Sequence, residues 1–423
     1  MTTMALEITG VADAATVGGA LSNGAVAPAA AAAAAESAVL GTYKRAPVTF
    51  VRGQGVELFD ERGRAFLDFT SGIAVNALGY ADPGVEAAMR EALETGMLHV
   101  SNLYATEPGE RLARFLVEHA PFASKAFFCN SGAEANEAAF KFARRWARST
   151  PDASPAKHEI VALRGAFHGR TMGVLAATDR PGYRIPFRPL AGGVSIVERD
   201  IEALAAVLSP ETTAAVIAEP VQGEGGVRVL DPGFLRELRA LTRERGAALV
   251  LDEIQCGLGR TGYFLAHERA GIEPDMVTLA KPLAGGLPMG AVLLAPHVAA
   301  AVRPGDHGTT FGGGPFVASV ALHVVERLAD PALLKRVREN GEWLGEELTA
   351  MAARTGRVRA VRGTGLMWGI DTNAPAGEVV ANALDARLLV CSAGDHTVRL
   401  LPPLTITREQ LKLGVAILEE VLQ

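Results

Sequence analysis

Residues 48–72, VTFVRGQGVELFDERGRAFLDFTSG, alternate apolar and polar positions between Gly and acidic or Arg turn signals, the period of short antiparallel strands. From about Asp82 the apolar spacing lengthens to that of a helix. Between Lys125 and Gly290 a different rhythm takes over. KAFFC, EIVALRG, AAVIAEP, AALVLDE and MVTLAKP are short apolar runs, several followed by Gly-rich turns and amphipathic stretches, which predicts a parallel sheet with crossover helices. From Pro315 the text turns helical (FVASVALHVVERL, then PALLKRVRENGEWLGEELTAMA). It closes with strands around VRAVRGTGLMWGID and HTVRLLPP and a last helix. These late elements predict a separate α+β unit joined by the N-terminal strands, and no repeat of solenoid period is present.

Composition adds limits. A chain of 423 residues, 49% hydrophobic and 21% charged, is long enough for two or three packed units. The net charge of −6 leaves no broad cationic surface for nucleic acid or an anionic membrane. Hydrophobic runs are all interrupted by Gly, Pro or charge before the ~18 residues of a membrane span, so a soluble protein is expected. Three dispersed cysteines, Cys129, Cys256 and Cys391, argue for a reducing compartment and against a disulfide framework. The nine histidines show no metal-ligand spacing, and no metal is expected. Residues 1–38 lack Lys and Arg and contain an Ala run, Ala29 to Ala35, unlike an Arg-rich transit peptide or a secretory signal. They are read as a flexible leader of a cytoplasmic protein. A plastid or mitochondrial protein would need a targeting segment already removed.

In an open parallel sheet, ligands sit beyond the carboxyl ends of the strands. Three successive runs end in ionisable residues: AAVIA at Glu219, ALVL at Asp252 and VTLA at Lys281. A lysine leaving a buried strand loses solvation of its charged form, which would supply the neutral amine a Schiff base needs, although alone Lys281 would pass for a strand-end lysine snorkelling to solvent. Asp252 suits a heterocycle nitrogen, although alone it would pass for a helix N-cap. The Asn130-Ser131-Gly132 turn opens a long helix whose first N–H groups would suit a phosphate. Ser131 with Glu134 would equally make an ordinary capping box. Phe167 and His168 follow another strand, where a flat ring could stack on a cofactor, and Arg170 could reach an anionic substrate group. Arg399 sits in a late apolar strand, where arginine pairs with a carboxylate, either internal or from a substrate.

Taken together, GIAVNALG from Gly72, HVSNLY from His99, FFCNSGAEANEA from Phe127, FHGRT from Phe167, EPVQGEGG from Glu219, LDEIQCGLGRTG from Leu251, LAKPLAGGLPMGA from Leu279 and HGTTFGG from His307 carry a resemblance. The chain resembles the fold-type I, class III pyridoxal-phosphate aminotransferases, most closely the N-acetylornithine aminotransferases of arginine biosynthesis. That resemblance implies an α/β fold: a large domain with a mixed, mostly parallel seven-stranded sheet and helices on both faces, and a smaller α+β domain. The implied division is 39–95 and 313–423 for the small domain and 96–312 for the large one.

By the same resemblance Lys281 would carry the cofactor, Asp252 would hold its pyridine nitrogen and Gln255 its phenolic oxygen. Ser131, Gly132 and Ala133 would bind the phosphate, Phe167 would stack on the ring beside His168, and Thr310 would complete the phosphate site of a partner subunit, which requires a homodimer. Arg170 would take the carboxylate of N-acetylornithine and Arg399 the α-carboxylate of 2-oxoglutarate or glutamate. Thr309 would touch substrate, and Glu219 would act as a gate by pairing with Arg399. The chain departs from the usual family wording at Ala133 (commonly Thr), Gly314 (Asn), Tyr80 (His) and Ala105 (an aromatic).

Two other classes are weighed. Gly257, Gly259 and Gly262 spell GxGxxG, the fingerprint of a dinucleotide-dependent oxidoreductase, but that reading needs a helix opening at the third glycine. A catalytically silent relative would have lost Lys281, Asp252 or an arginine. Within the aminotransferase reading, ornithine, succinylornithine, 4-aminobutyrate and carrier-linked lysine-pathway amines stay open as donors.

Overall fold

Four of the seven strands in the main sheet are buried from end to end, which is why they read as unbroken apolar runs rather than alternating ones. The computed structural model describes residues 38–149 and 153–423. The leader expected over 1–38 therefore lies, apart from Ala38, outside the described residues. The chain divides into two compact units, 1–48 and 49–423. Residues 38–48 carry no helix or strand, and the rest of the account concerns the second unit.

The main-sheet strands are β1 (Lys125–Cys129), β2 (Glu159–Leu163), β3 (Val194–Val197), β4 (Thr213–Ala218), β5 (Ala248–Asp252), β6 (Met276–Leu279) and β7 (Gly290–Leu294), in the order β1-β7-β6-β5-β4-β2-β3. From β6 through β3 all neighbours are parallel, while β7 runs antiparallel to both β6 and β1. The strand rhythm alone predicts a purely parallel sheet, and β7 is the exception for a physical reason. Only residues 280–289 join it to β6, too few for the crossover helix a parallel return needs. The partly exposed edge strand β3 is the other one the apolar runs do not announce.

Successive side chains in these strands point to opposite faces, and each face has its own core. Ile217, Val250 and Val292 pack on the side covered by the Gly132–Ala147 helix. That helix turns Ala135, Ala138, Ala139 and Ala143 inward, so it lies close to the sheet. Val216, Leu251 and Leu279 pack on the other side, with Leu112, Leu238 and Val325 from the Glu107–Glu118, Pro232–Glu244 and Pro315–Leu328 helices. Each face is thus closed by helices.

The N-terminal alternation does form three antiparallel strands, Phe50–Gln54, Glu57–Asp60 and Ala65–Asp68, and the third pairs in parallel with Leu388–Leu389. The two ends of the unit are therefore stitched through one sheet. A further sheet holds Val358–Thr364, Met367–Thr372, Thr397–Leu400 and Cys391–Ser392 in that order, with the Pro331–Thr355 and Arg408–Leu422 helices beside it. No helix opens at Gly262: the GxGxxG stretch is a chain of turns leading to a short 3-10 turn at Ala266–Ala270, which removes the dinucleotide reading.

Ile217 is fully buried near the carboxyl end of β4, an interior strand of the sheet. Ile217→Ala is expected to destabilise the protein by about 2–5 kcal/mol through the cavity it leaves, checked by denaturant unfolding.

Candidate active site

Register places the chemistry. Leu251 of β5 pairs with Ala218 of β4, and Asp252 pairs with Thr278 of β6. Glu219, Asp252 and Lys281 therefore leave the sheet side by side at its carboxyl edge, where a cavity of about 440 Å³ opens. Ser131, Gly132, Ala133, Phe167, His168, Arg170, Glu219, Asp252, Gln255 and Lys281 all line it. Thr309, Thr310 and Arg399 do not.

Asp252 is 4% exposed and fully occupied on its protein side. Its Oδ2 accepts from Asn136 Nδ2 at 2.8 Å and lies 2.7 Å from His168 Nδ1, while Oδ1 accepts from the Ile254 N–H at 3.1 Å. Asn136 is itself fixed: it donates to the His168 carbonyl at 2.8 Å and accepts from Thr278 Oγ1 at 2.8 Å. Burial alone would depress the His168 imidazole, but the hydrogen bond and charge of Asp252 outweigh it and raise its pKa. His168, Asn136 and the Ile254 N–H fix both oxygens of Asp252 at the cavity edge. Sequence reasoning misses Asn136, which sits one helical turn inside an otherwise Ala-rich face; a polar residue on such a face is the signal that could have found it.

At the opposite end of the cavity Ser131 caps the Gly132–Ala147 helix, accepting from Glu134 N at 3.2 Å. The expected capping box is altered. Glu134 reaches past Ser131 to the Asn130 N–H at 2.9 Å and the Asn130 side chain at 2.8 Å. The first N–H groups, on Gly132 and Ala133, have no carbonyl four residues back within the helix and face the cavity. Gly132 has no room for more: a Cβ there would sit 2.8 Å from Ile254 Cδ1.

Lys281 stands between these ends with φ 37, a left-handed conformation rarely taken by lysine. Desolvation, then the nearby Arg399 cation, pulls its pKa down to about 8, so about a tenth is neutral amine at pH 7. Glu219 is pushed up to about 7, by burial above all and by the charge of Asp252.

The structure corrects one assignment. Arg399, 1% exposed, does not pair with Glu219. Its Nη1 lies 2.6 Å from Oε1 of Glu224 and donates to Oε1 of Gln255 at 3.0 Å. Glu219 instead accepts the Phe167 N–H at 2.9 Å. The reason is local: Glu219 follows β4 directly and turns inward along the sheet edge, whereas Glu224 sits at the tip of a hairpin, Val221–Gln222 with Arg228–Val229, that reaches across to the late strand. EPVQGEGG offers two acids, and spacing alone does not say which one spans that gap. Arg170 is exposed, its guanidinium carbon 3.3 Å from the Tyr183 ring centroid.

The donor set fits pyridoxal phosphate: a buried anion for a pyridine nitrogen, open N–H groups at a helix start for a phosphate, and a partly neutral amine for an aldehyde. Comparison with known proteins agrees. A family model for aminotransferase class-III matches residues 39–422. A mitochondrial acetylornithine aminotransferase from Alnus glutinosa is 46% identical, the match covering 92% of this chain and 86% of the relative. An acetylornithine aminotransferase from Mycobacterium bovis is 45% identical, with 92% and 94% covered. Among solved structures, the N-acetylornithine aminotransferase from Stenotrophomonas maltophilia superposes with TM-score 0.78 at 37% identity, covering 90% of this chain and 96% of that one. The ornithine aminotransferase from Toxoplasma gondii gives 0.86 at 29% identity, covering 91% and 92%.

An open α/β sheet with this edge is the scaffold of a fold-type I transferase that works through pyridoxal phosphate. The chain belongs to the class-III aminotransferases.

Because the nucleophile is the neutral amine, reloading of cofactor-stripped protein with pyridoxal phosphate is expected to speed up with pH and reach half its maximal rate near pH 8. Stopped-flow absorbance at constant ionic strength measures this, and Lys281→Ala should show no covalent loading at any pH.

Proposed function

We propose that the protein transfers the ω-amino group of N-acetylornithine to 2-oxoglutarate, giving N-acetylglutamate 5-semialdehyde and glutamate, the transamination of arginine biosynthesis. The carrying observation is a buried arginine, Arg399, whose carboxylate partner, Glu224, is itself partly exposed. Glu224 sits at the end of a hairpin and is a quarter exposed, so a substrate carboxylate can take its place on Arg399. The acetylornithine names borne by relatives at 45–46% identity support the same donor.

The residues divide the work. Bound pyridoxal phosphate supplies an electron sink for the carbon that loses its proton. Asp252, oriented by His168 and Asn136, would face the ring nitrogen, and the N–H groups of Gly132 and Ala133 with Ser131 would hold the phosphate. Lys281 Nζ, partly neutral, would take the proton from the amine-bearing carbon and deliver it on the cofactor's side of the carbon–nitrogen bond, so that hydrolysis leaves the nitrogen with the cofactor. When the donor is N-acetylornithine, its carboxylate lies on Arg170 and Arg399 keeps Glu224. When the donor is glutamate, its α-carboxylate displaces Glu224 from Arg399. One cavity thereby serves an ω-amine and an α-amino acid in alternate half-reactions.

The site is completed by a second copy of the chain. Thr310 is exposed and away from its own cavity. Around it Leu103, Tyr104 and Phe311 are 87%, 70% and 66% exposed. Asn102 Nδ2, bonded to the Thr309 carbonyl at 2.9 Å, ties their two loops into one face. An apolar face of this kind marks an association surface, and a homodimer formed through it would bring Thr310 to the partner's phosphate site.

Mixing holoenzyme with N-acetylornithine and no keto acid should bleach the visible cofactor band rapidly, and ornithine or 4-aminobutyrate should do so slowly. A faster response to either of the latter moves the donor while keeping the transaminase. Arg170→Ala should raise the KM for N-acetylornithine roughly tenfold or more, the loss of a charged hydrogen bond, and leave that for glutamate unchanged. Tyr104→Glu with Phe311→Glu is expected to shift the protein from dimer to monomer in sedimentation velocity and to weaken cofactor retention.

A further inference from the structure

The pair Glu224–Arg399 joins two separately built pieces, the hairpin after β4 and the late Thr397–Leu400 strand, and a third residue bridges them. Arg362, on the Val358–Thr364 strand, makes a two-pronged ion pair with Asp371, Nη1 to Oδ2 and Nη2 to Oδ1, both 2.7 Å. Nη2 also donates to Thr397 Oγ1 at 3.1 Å, and Thr397 Oγ1 donates to Asp371 Oδ1 at 2.5 Å. With its guanidinium locked to the sheet in this way, Arg362 aims Nε at the hairpin, donating to the Gly226 carbonyl at 2.5 Å. Thr397 is two residues before Arg399 on the same strand. A single guanidinium thus grips both the strand that carries Arg399 and the turn that carries Glu224.

The turn needs such a grip. Gly226 has φ 96 and Val227 φ 50, the second costly for a β-branched residue, and Val227 is wholly buried against Gly369. A Cβ on Gly226 would come within 3.0 Å of Arg362 Nη2, so the backbone and the guanidinium are in direct contact. We propose that Arg362 is a positioning residue for the exchange of partners on Arg399: it pins the hairpin backbone so that Glu224 swings by side-chain rotation alone and returns to the same place. This rests on the two-substrate reading above.

The consequence is asymmetric. With N-acetylornithine no substrate carboxylate reaches Arg399, and a buried cation must be matched by Glu224 or stand unpaired. With glutamate the substrate supplies the anion, and the placement of Glu224 ceases to matter. Arg362→Lys keeps a cation for Asp371 but has one ammonium where three guanidinium nitrogens act, so it gives up the hairpin contact.

The test measures the two half-reactions separately on holoenzyme, by single-turnover absorbance of the bound cofactor, for wild type, Arg362→Lys and Thr397→Val. In Arg362→Lys, kcat/KM for N-acetylornithine should fall about tenfold, the usual effect of losing a charge-assisted hydrogen bond, while that for glutamate stays within about twofold. Thr397→Val should show a smaller split of the same sign, and it serves alone if the lysine variant fails to fold. Equal falls in both half-reactions, or none in either, would overturn the proposal. The underlying reading fails differently. Glu224→Gln, with Arg362 intact, would then slow both half-reactions alike. If wild type prefers another ω-amine, that donor replaces N-acetylornithine in the same comparison.

Discussion

A sheet buried on both faces leaves its ionisable residues only the ends of its strands. Leu249, Val250 and Leu251 are wholly enclosed, and the first charge that β5 can carry is Asp252, at its carboxyl edge. The same holds for Glu219 after β4 and Lys281 after β6. Parallel register then sets the three side by side. The burial that drives folding also strips solvent from these groups, and it is burial that brings Lys281 down to about 8 and Glu219 up to about 7. Fold and reactivity share one cause.

Charges so enclosed have to be matched one for one, and the structure does this with short, specific partners. Asp252 has His168 and Asn136, and Arg399 has Glu224 and Gln255. The first set is rigid, because Asn136 is held at both ends of its amide. The second is open to solvent on the Glu224 side, where the carboxylate is a quarter exposed. That contrast separates a fixed cluster on the cavity wall from a neighbouring ion pair that is open to solvent on one side.

Much of this is legible before any coordinates. Apolar runs closed by Glu219, Asp252 and Lys281 locate the catalytic edge because strand ends are local events, written in consecutive letters. The Asn130-Ser131-Gly132 turn announces a helix start for the same reason. What escapes depends on distance. Asn136 reaches His168, Asp252 and Thr278, and nothing in its own neighbourhood points to them. Glu224 rather than Glu219 meets Arg399 because a hairpin projects it, a matter of reach that residue type cannot convey. β7 reverses direction because its link is short, which is readable, but only once β6 and β7 are both recognised as strands.

The alanine-lined side of the Gly132–Ala147 helix carries a consequence for how such an enzyme can diverge. Its inward residues, Ala135, Ala138, Ala139 and Ala143, are all completely enclosed, and the helix start is also the stretch proposed above as the phosphate cradle. Any larger side chain on that seam would lift the whole cylinder and carry the cradle with it. Drift toward new substrates is thereby channelled away from this helix and onto the hairpin and loop tips on the far rim, where a change of residue need not disturb the cofactor's footing.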